Sequence, residues 1–407
     1  SKQVATAFTA VTKMQLGAEH RRQAGDSFID DVVIKAKKAA GQLPGTFTPI
    51  APQRFLDTRK TSPVGADKSV SFQVAGANGI PATVAAVVFN LTVTEGKSIG
   101  YITAYPSGTV RPNASNVNFR ANQNVPNLVT VKVGADGKVA LFNRSSGTTH
   151  LIADVTGYYV TGAPATPGAF QSLAPKRLLD TRSTTALAGD STVSLQVAGT
   201  NGVPASAAAV VFNLTVTEPT RIGYITAYAS GSARPDASNL NFNAGQTVPN
   251  LVTVPIGPDG KVTLLNRSFG RSHLIADVAG YYLGGTPSAT GAFKATGPSR
   301  ILDTRNTTAV RPDSAVSFQI AGANGIPSSV LAAVFNLTVV SPQSIGYVTA
   351  YPSGSARPDA SNLNFSARQT VPNLVSVPVG SDGKVTLFNR SSGSSHLIAD
   401  LAGYFLP

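Results

Sequence analysis

The sequence predicts an all-β protein: three tandem β-sandwich or jelly-roll-like domains preceded by a short α-helical N-terminal arm. Three observations carry this reading. First, two motifs return at one spacing: Leu-Asp-Thr-Arg begins at residues 56, 179 and 302 and His-Leu-Ile-Ala-Asp at 150, 273 and 396, each 123 residues after the last. A period far above the ~20–50 residues of solenoid units makes each copy a domain. Second, only 13% of residues are charged while 38 are Gly and 27 are Pro, which with a Val/Thr/Asn-rich body favours strands and turns over helix or disorder. Third, Phe89, Leu91 and Val93 alternate with Asn90, Thr92 and Thr94, the period of a sheet with one buried face.

Residues 1–45 are not repeated and read as two helices. Val4, Phe8, Val11 and Met14 recur every three or four residues as an apolar stripe. Gly17 to Gly25 is a polar break, after which Asp26 or Ser27 serves as N-cap of the second helix. Asp30 and Asp31 in its early turns and Lys35, Lys37 and Lys38 toward its end match the helix dipole, and Gly41 and Pro44 stop it. Phe28, Val32, Ala36 and Ala39 form its stripe. Helices this short are marginal alone. Val4, Phe8, Val11, Met14, Phe28 and Val32 are therefore expected to form an assembly or oligomerisation surface, covered by the first domain, by other subunits' arms or by another protein.

The domains are expected at residues 46–160, 169–283 and 292–407, joined by the eight-residue segments Thr161–Gly168 and Gly284–Gly291. Such short Pro-containing linkers keep neighbours close, in a row or around a pseudo-threefold centre. In copy one, strands are predicted at Val70–Val74, Val84–Thr94, Gly100–Tyr105, Asn116–Phe119, Asn127–Val133, Val139–Phe142 and His150–Tyr159. Asp136-Gly137, Asp259-Gly260 and Asp382-Gly383 read as hairpin turns. The stretches 60–68, 95–98, 120–124 and 145–149 differ between copies while the strands stay put. Such loops are unconstrained surface or are adapted to non-equivalent neighbours.

The chain has no Cys and no Trp, so disulfides, thiolate metal sites and Cys nucleophiles are excluded. A Cys-free chain suits a particle or secreted protein in oxidising surroundings. Net charge is +13, of which +3 lies in the first 45 residues and the rest is diffuse. Without a basic run or an aromatic-basic stripe, this predicts attraction to anionic cell-wall glycans, not specific nucleic-acid recognition. No apolar run reaches the ~20 residues of a membrane span, so membrane insertion is not expected. The N-terminus lacks the apolar core of a secretory signal. The expectation is either that a signal has been removed or that only an initiator Met preceded Ser1.

Asp57-Thr58-Arg59 recurs as Asp180 with Arg182 and Asp303 with Arg305, with Arg54 just upstream in copy one. On a strand the Asp and Arg would share a face, either as a polar pocket for a sugar or carboxylate or as an ion pair and cap fixing the domain's first strand to its last. His150, His273 and His396 each precede an Asp by four residues. On a strand four residues span ~13 Å, so such a pair cannot chelate one ion, and no metal or other cofactor is expected. Arg111, Arg234 and Arg357 open turn-rich polar loops, and Asn127, Asn250 and Asn373, each after a Pro, invite the same side-chain-to-backbone turns. Tyr101, Tyr105 and Tyr158 offer sugar stacking or simple packing. No Gly-x-Ser-x-Gly elbow or Gly-rich phosphate loop is present, and Glu95 and Glu218 become Ser341. No enzyme is expected. Asn-Leu-Thr at Asn90, Asn213 and Asn336 matches a glycosylation sequon but falls within a strand.

Arg-Leu-Leu-Asp-Thr-Arg at the opening, Gly-Tyr-Ile-Thr-Ala-Tyr and Arg-Pro-x-Ala-Ser-Asn in the middle, and Ile-Ala-Asp-Val-x-Gly-Tyr-Tyr at the close resemble a β-repeat domain of actinobacterial exported proteins and of virion proteins of phages infecting those bacteria. The resemblance spans residues 46–407, and copy three departs by closing in Gly403-Tyr404-Phe405. It implies no catalytic or ligand residue. With the unrepeated arm, it implies a non-enzymatic virion surface protein, a capsid decoration, tail or fibre component. The arm would mount it on other virion proteins or on itself as a homo-oligomer such as a trimer, with weak adhesion to the host envelope. The alternative is a secreted actinobacterial cell-surface or glycan-binding protein.

Overall fold

The computed structural model describes residues 42–407, which form one compact unit. The two expected helices, with Val4, Phe8, Val11, Met14, Phe28 and Val32, lie outside the described residues. Copy one comprises β1 (Phe47–Asp57), β2 (Lys68–Gln73), β3 (Val84–Thr94), β4 (Gly100–Pro106), β5 (Val117–Phe119), β6 (Val125–Lys132), β7 (Lys138–Ser145) and β8 (His150–Val160). The same series runs from β9 (Phe170–Asp180) to β16 (His273–Leu283), and from β17 (Phe293–Asp303) to β24 (His396–Phe405). Each copy makes two four-stranded antiparallel sheets, ordered β1-β8-β3-β6 and β2-β7-β4-β5 in copy one.

The all-β class is the one the sequence predicts; three tandem sandwiches are not what forms. The six small sheets form a propeller-like array in which one sheet of each copy, the one containing β3 or its counterpart, faces a common centre. The reason lies in β3. Val87, Phe89, Leu91 and Val93 enter their own copy's core with Ile102, Leu141 and Leu151. Ala86 and Val88 face the other way, into a second cluster shared by all three copies. Asn90 and Thr92 look from the sequence like a solvent-facing set, yet they are only 1% and 3% exposed. The sheet containing β3 is thus buried on both faces, and a copy on its own would leave one face uncovered.

The shared cluster is closed by aromatic pairs, each joining two copies. Phe47 stacks on Phe405, Tyr159 on Phe170 and Tyr282 on Phe293, at centroid separations of 4.3, 4.4 and 4.2 Å. Burial of a side chain this large contributes ~1.5–3 kcal/mol, and offset stacking adds to it. A backbone ring runs beside them: Phe170, Phe293 and Phe47 donate their amides to the carbonyls of Gly45, Gly168 and Gly291. These three glycines have φ near +76° to +77°, and a Cβ on any of them would lie 2.5–2.7 Å from the carbonyl of the next copy's phenylalanine. Only Gly permits that approach. Gly45 therefore belongs structurally to the ring.

Copy three's departure at Phe405 falls at the middle of this cluster. The Tyr159 and Tyr282 hydroxyls bond each other at 2.6 Å, and Phe405 faces both with no hydroxyl. Burial pushes both phenols up from the ordinary tyrosine value. Tyr159→Phe would strand the Tyr282 hydroxyl, at a cost of ~1–3 kcal/mol, whereas removing both partners is close to neutral. Urea denaturation is expected to show a lower midpoint for Tyr159→Phe and substantial recovery in Tyr159→Phe/Tyr282→Phe.

Candidate functional site

The repeated polar residues are the sequence's strongest candidates for chemistry, and the structure gives the Asp, His and Leu-Asp-Thr-Arg arginine candidates a partner each. β1 ends at Asp57, and a 3-10 turn, Thr58–Lys60, follows. Arg59 therefore does not extend along a strand beside Asp57. It folds back, donating its backbone amide and Nε to Oδ1 (3.2 and 2.8 Å) and Nη2 to Oδ2 (2.7 Å). Asp180 with Arg182 and Asp303 with Arg305 repeat the arrangement. Between them, Thr58 Oγ1 accepts the Leu151 amide at 2.8 Å and lies 3.1 Å from His150 Nδ1. Thr181 with His273 and Thr304 with His396 match it. The motif fastens the end of the first strand to the start of the last.

Four residues beyond each His, the Asp serves a different partner. Arg54 donates Nε and Nη2 to the Asp154 carboxylate at 2.8 and 3.1 Å, and its Nη1 reaches Asp57 at 3.4 Å. Arg177 and Arg300 do the same for Asp277 and Asp400. Each arginine also crosses to another copy. Nη2 of Arg54 donates to the Asp359 carbonyl, that of Arg177 to Asn113 and that of Arg300 to Asp236. Among the described residues no three His, Asp or Glu side chains come together in a metal-holding group.

A second cycle, which the sequence did not reveal, is made by asparagines. Asn127, Asn250 and Asn373 lie within strands, not in turns, and are at most 1% exposed. Their Nδ2 groups donate to Oδ1 of Asn213, Asn336 and Asn90 in the following copy at 2.8–2.9 Å. Their Oδ1 atoms accept the amides of Leu251, Leu374 and Leu128, each at 3.0 Å. Asn90, Asn213 and Asn336 in turn donate to the carbonyls of Ser361, Ser115 and Ser238 in a neighbouring copy. Every one of these bonds crosses a copy boundary. The available signal was an Asn held at one place in an apolar strand three times over, since a buried amide must be bonded.

The remaining candidates stay near the surface. The Arg111 and Arg357 guanidiniums lie 4.0 Å over the rings of Phe142 and Phe388. At the corresponding position beside Arg234, copy two carries Leu265. The twelve Asp, Arg and His candidates thus form three matching sets, one per copy, and do not converge on one centre.

Convergence happens elsewhere. Strand register places Val84 beside Val160, at the aromatic end of the ring, and Val93 beside Val125, at the opposite end. At that opposite end the segments around β5 and β6 from all three copies line a cavity of about 400 Å³. Its residues include Asn118, Asn241 and Asn364, together with Arg120 and Arg368. The varying stretch 120–124 is one of its walls.

No family model matches the chain, and no curated protein matches it. Among solved structures it is similar to a chain from the study of a triple jelly-roll fold and turret assembly in an archaeal virus, with 9% identity and a TM-score of 0.21 over 89% of this chain and 90% of that one. A chain of Sulfolobus Turreted Icosahedral Virus gives 9% identity and a TM-score of 0.21 over 89% and 92%. One from the lipid-containing bacteriophage PM2 gives 9% and 0.13 over 87% and 100%. At these values the likeness carries no assignment of fold or function. Among the described residues no helix is long and apolar enough to cross a membrane.

The paired carboxylates set an acid response. Hydrogen bonds from Arg59 and Arg305 hold Asp57 and Asp303 down at about 2, and Arg182 lowers Asp180 as well. Their stabilisation is complete above the ordinary value of 3.8 and is lost as pH falls toward 2. Asp154, Asp277 and Asp400 are pushed up by burial, against the pull of their arginines, so their protonation opposes that loss. Asp57→Asn/Asp180→Asn/Asp303→Asn is expected to lower stability at pH 7 by about 1 kcal/mol per site, discounted for the exposed guanidiniums. Between pH 7 and 2 its urea midpoint should fall less than that of the native chain.

Proposed function

We propose that this protein is a non-enzymatic structural protein of a virion surface, mounted through its unrepeated N-terminal residues and displaying the closed three-copy ring. The observation that carries the proposal is the polarity of that ring. Gln42 to Thr46 join it at the aromatic end, where the Gly45 amide donates to Val160 and its carbonyl accepts from Phe170. Gln42, the first described residue, therefore lies at this end. The opposite end bears three of the stretches that differ between copies, 95–98, 120–124 and 145–149. It also bears an exposed isoleucine from each copy, Ile99, Ile222 and Ile345. A fixed framework with one end for attachment and a variable end for display suits a capsid decoration, tail or fibre component.

The non-enzymatic reading rests on how the repeated groups are used. Asp57, Arg59, His150 and Asp154 and their counterparts are engaged in fastening strands, so none of these sets is free to act as an acid–base pair. The resemblance of the repeats to domains of phage virion proteins points the same way. Partners would be other virion proteins or further copies of this chain. Deleting residues 1–41 tests the reading while sparing Gly45, whose carbonyl the ring needs. The truncated protein is expected to keep its cooperative β-unit and to be missing from virions assembled in its presence. Incorporation at the level of the full chain would refute the proposal.

A further inference from the structure

We infer that the cavity at the end of the ring remote from Gln42 is a binding site for an anionic saccharide of one or two rings. Its volume of about 400 Å³ lies in the range of small-molecule sites, ~300–1,000 Å³. No Asp or Glu lines it, whereas two guanidiniums, Arg120 and Arg368, do. Neither arginine is in an ion pair among the described residues.

The amides around the cavity are biased toward donation. Asn118, Asn241 and Asn364 each accept a serine hydroxyl on Oδ1 at 3.0–3.1 Å, from Ser115, Ser238 and Ser361. The glutamines at 123, 246 and 369 accept a backbone amide on Oε1 at 2.8–2.9 Å. With one lone pair of each carbonyl oxygen used, two N–H donors stand against one remaining acceptor position in each amide. Donors without carboxylates fit an anion and the hydroxyl oxygens around it. The walls also contain Val and Pro from each copy, and the half-open rim carries Ile345, 68% exposed. These surfaces match the C–H faces of a pyranose, and the exposed aromatic platform on which a nucleobase would stack is missing from the residues lining the cavity.

The strongest indication is where the threefold likeness fails. The Val-Pro-Asn that follows is identical in all copies, but Arg120 corresponds to Asn243 and Ser366, and Arg368 to Asn122 and Gly245. Positive charge is thereby placed on copies one and three and withheld from copy two. Arg368 holds φ at +62° in a turn where copy two uses Gly245 at +70°. The turn itself is fixed alike in each copy, the amides of Asn122, Gly245 and Arg368 donating to Gly96, Pro219 and Pro342. An arginine thus occupies a backbone conformation that L residues adopt at a cost, and it lines the cavity.

The inference stands whether or not the protein belongs to a virion. It is tested by titrating the full chain, at low salt, with D-glucuronate, with glucose 6-phosphate and with glucose, following amide chemical shifts. Saturable binding of at least one acidic sugar is expected, with glucose weaker by about tenfold or more. The two acids separate a carboxylate from a phosphate preference. Arg368→Gly installs the residue copy two already carries and relieves the turn, so its urea midpoint should not fall while affinity drops about tenfold. Arg120→Asn, read separately because Arg120 also donates to the Gly245 carbonyl, should weaken binding similarly. The inference fails if neither acid binds at about 20 mM, if glucose binds as tightly, or if Arg368→Gly binds unchanged.

Discussion

A buried amide has to be bonded, and in this protein the bonding partners belong to the next copy. Asn127, Asn250 and Asn373 each spend Nδ2 and Oδ1 on a neighbour, in a cycle that leaves no copy out. An unsatisfied group of this kind costs ~1–3 kcal/mol. One copy alone would leave Asn90 and Asn127 to water and expose Leu128, Val88 and Tyr159, whereas covering that face in any other register would bury the amides at this cost. The apolar cluster supplies the driving force for closure, and the asparagines make only one register of closure acceptable. The glycine turns before each copy then allow the backbones to approach closely enough for the aromatic pairs to stack.

Much of the chain's repetition follows from this one requirement. Leu-Asp-Thr-Arg and His-Leu-Ile-Ala-Asp return on schedule because each copy fastens its first strand to its last in the same way, and that strand pair carries the arginine that crosses to a neighbour. Arg54 shows how the two tasks are joined: it neutralises buried Asp154 inside its copy and reaches the Asp359 carbonyl outside it. Buried charges of this sort are tolerated because they are paired and bonded on every side. Repetition is relaxed where closure does not demand it: in the first half of each copy's first strand, after Phe47, Phe170 and Phe293, and in the loops at the end away from Gln42.

Much of the fold was legible locally. The β3 limits coincide with the alternating run that predicts them, and β4, β7 and β8 are found within a few residues of their predicted places. What misled was polarity as a guide to solvent. Asn90 and Thr92 alternate with apolar neighbours, which in an isolated sheet means an outer face; here that face meets another copy. Asn127 after Pro126 suggested a turn, yet both lie in β6. Leu-Asp-Thr-Arg is readable as a fastening or a pocket, and only in the folded chain is Arg59 seen turned back onto its own turn. The cavity was not legible, because its walls are three segments 123 residues apart that meet only when the ring closes. Their variation at residues 120–124 was visible; its destination was not.

The central claim is that residues 42–407 fold as one unit through the closed amide cycle. Scanning calorimetry of the Asn250→Ala variant tests it most directly, since Asn250 lies in copy two but bonds Asn336 and the Leu374 amide in copy three. The account predicts that native and variant chains each melt in a single transition, with the variant's displaced as a whole to lower temperature. A transition that splits, leaving the first copy to melt at its original temperature, would contradict it.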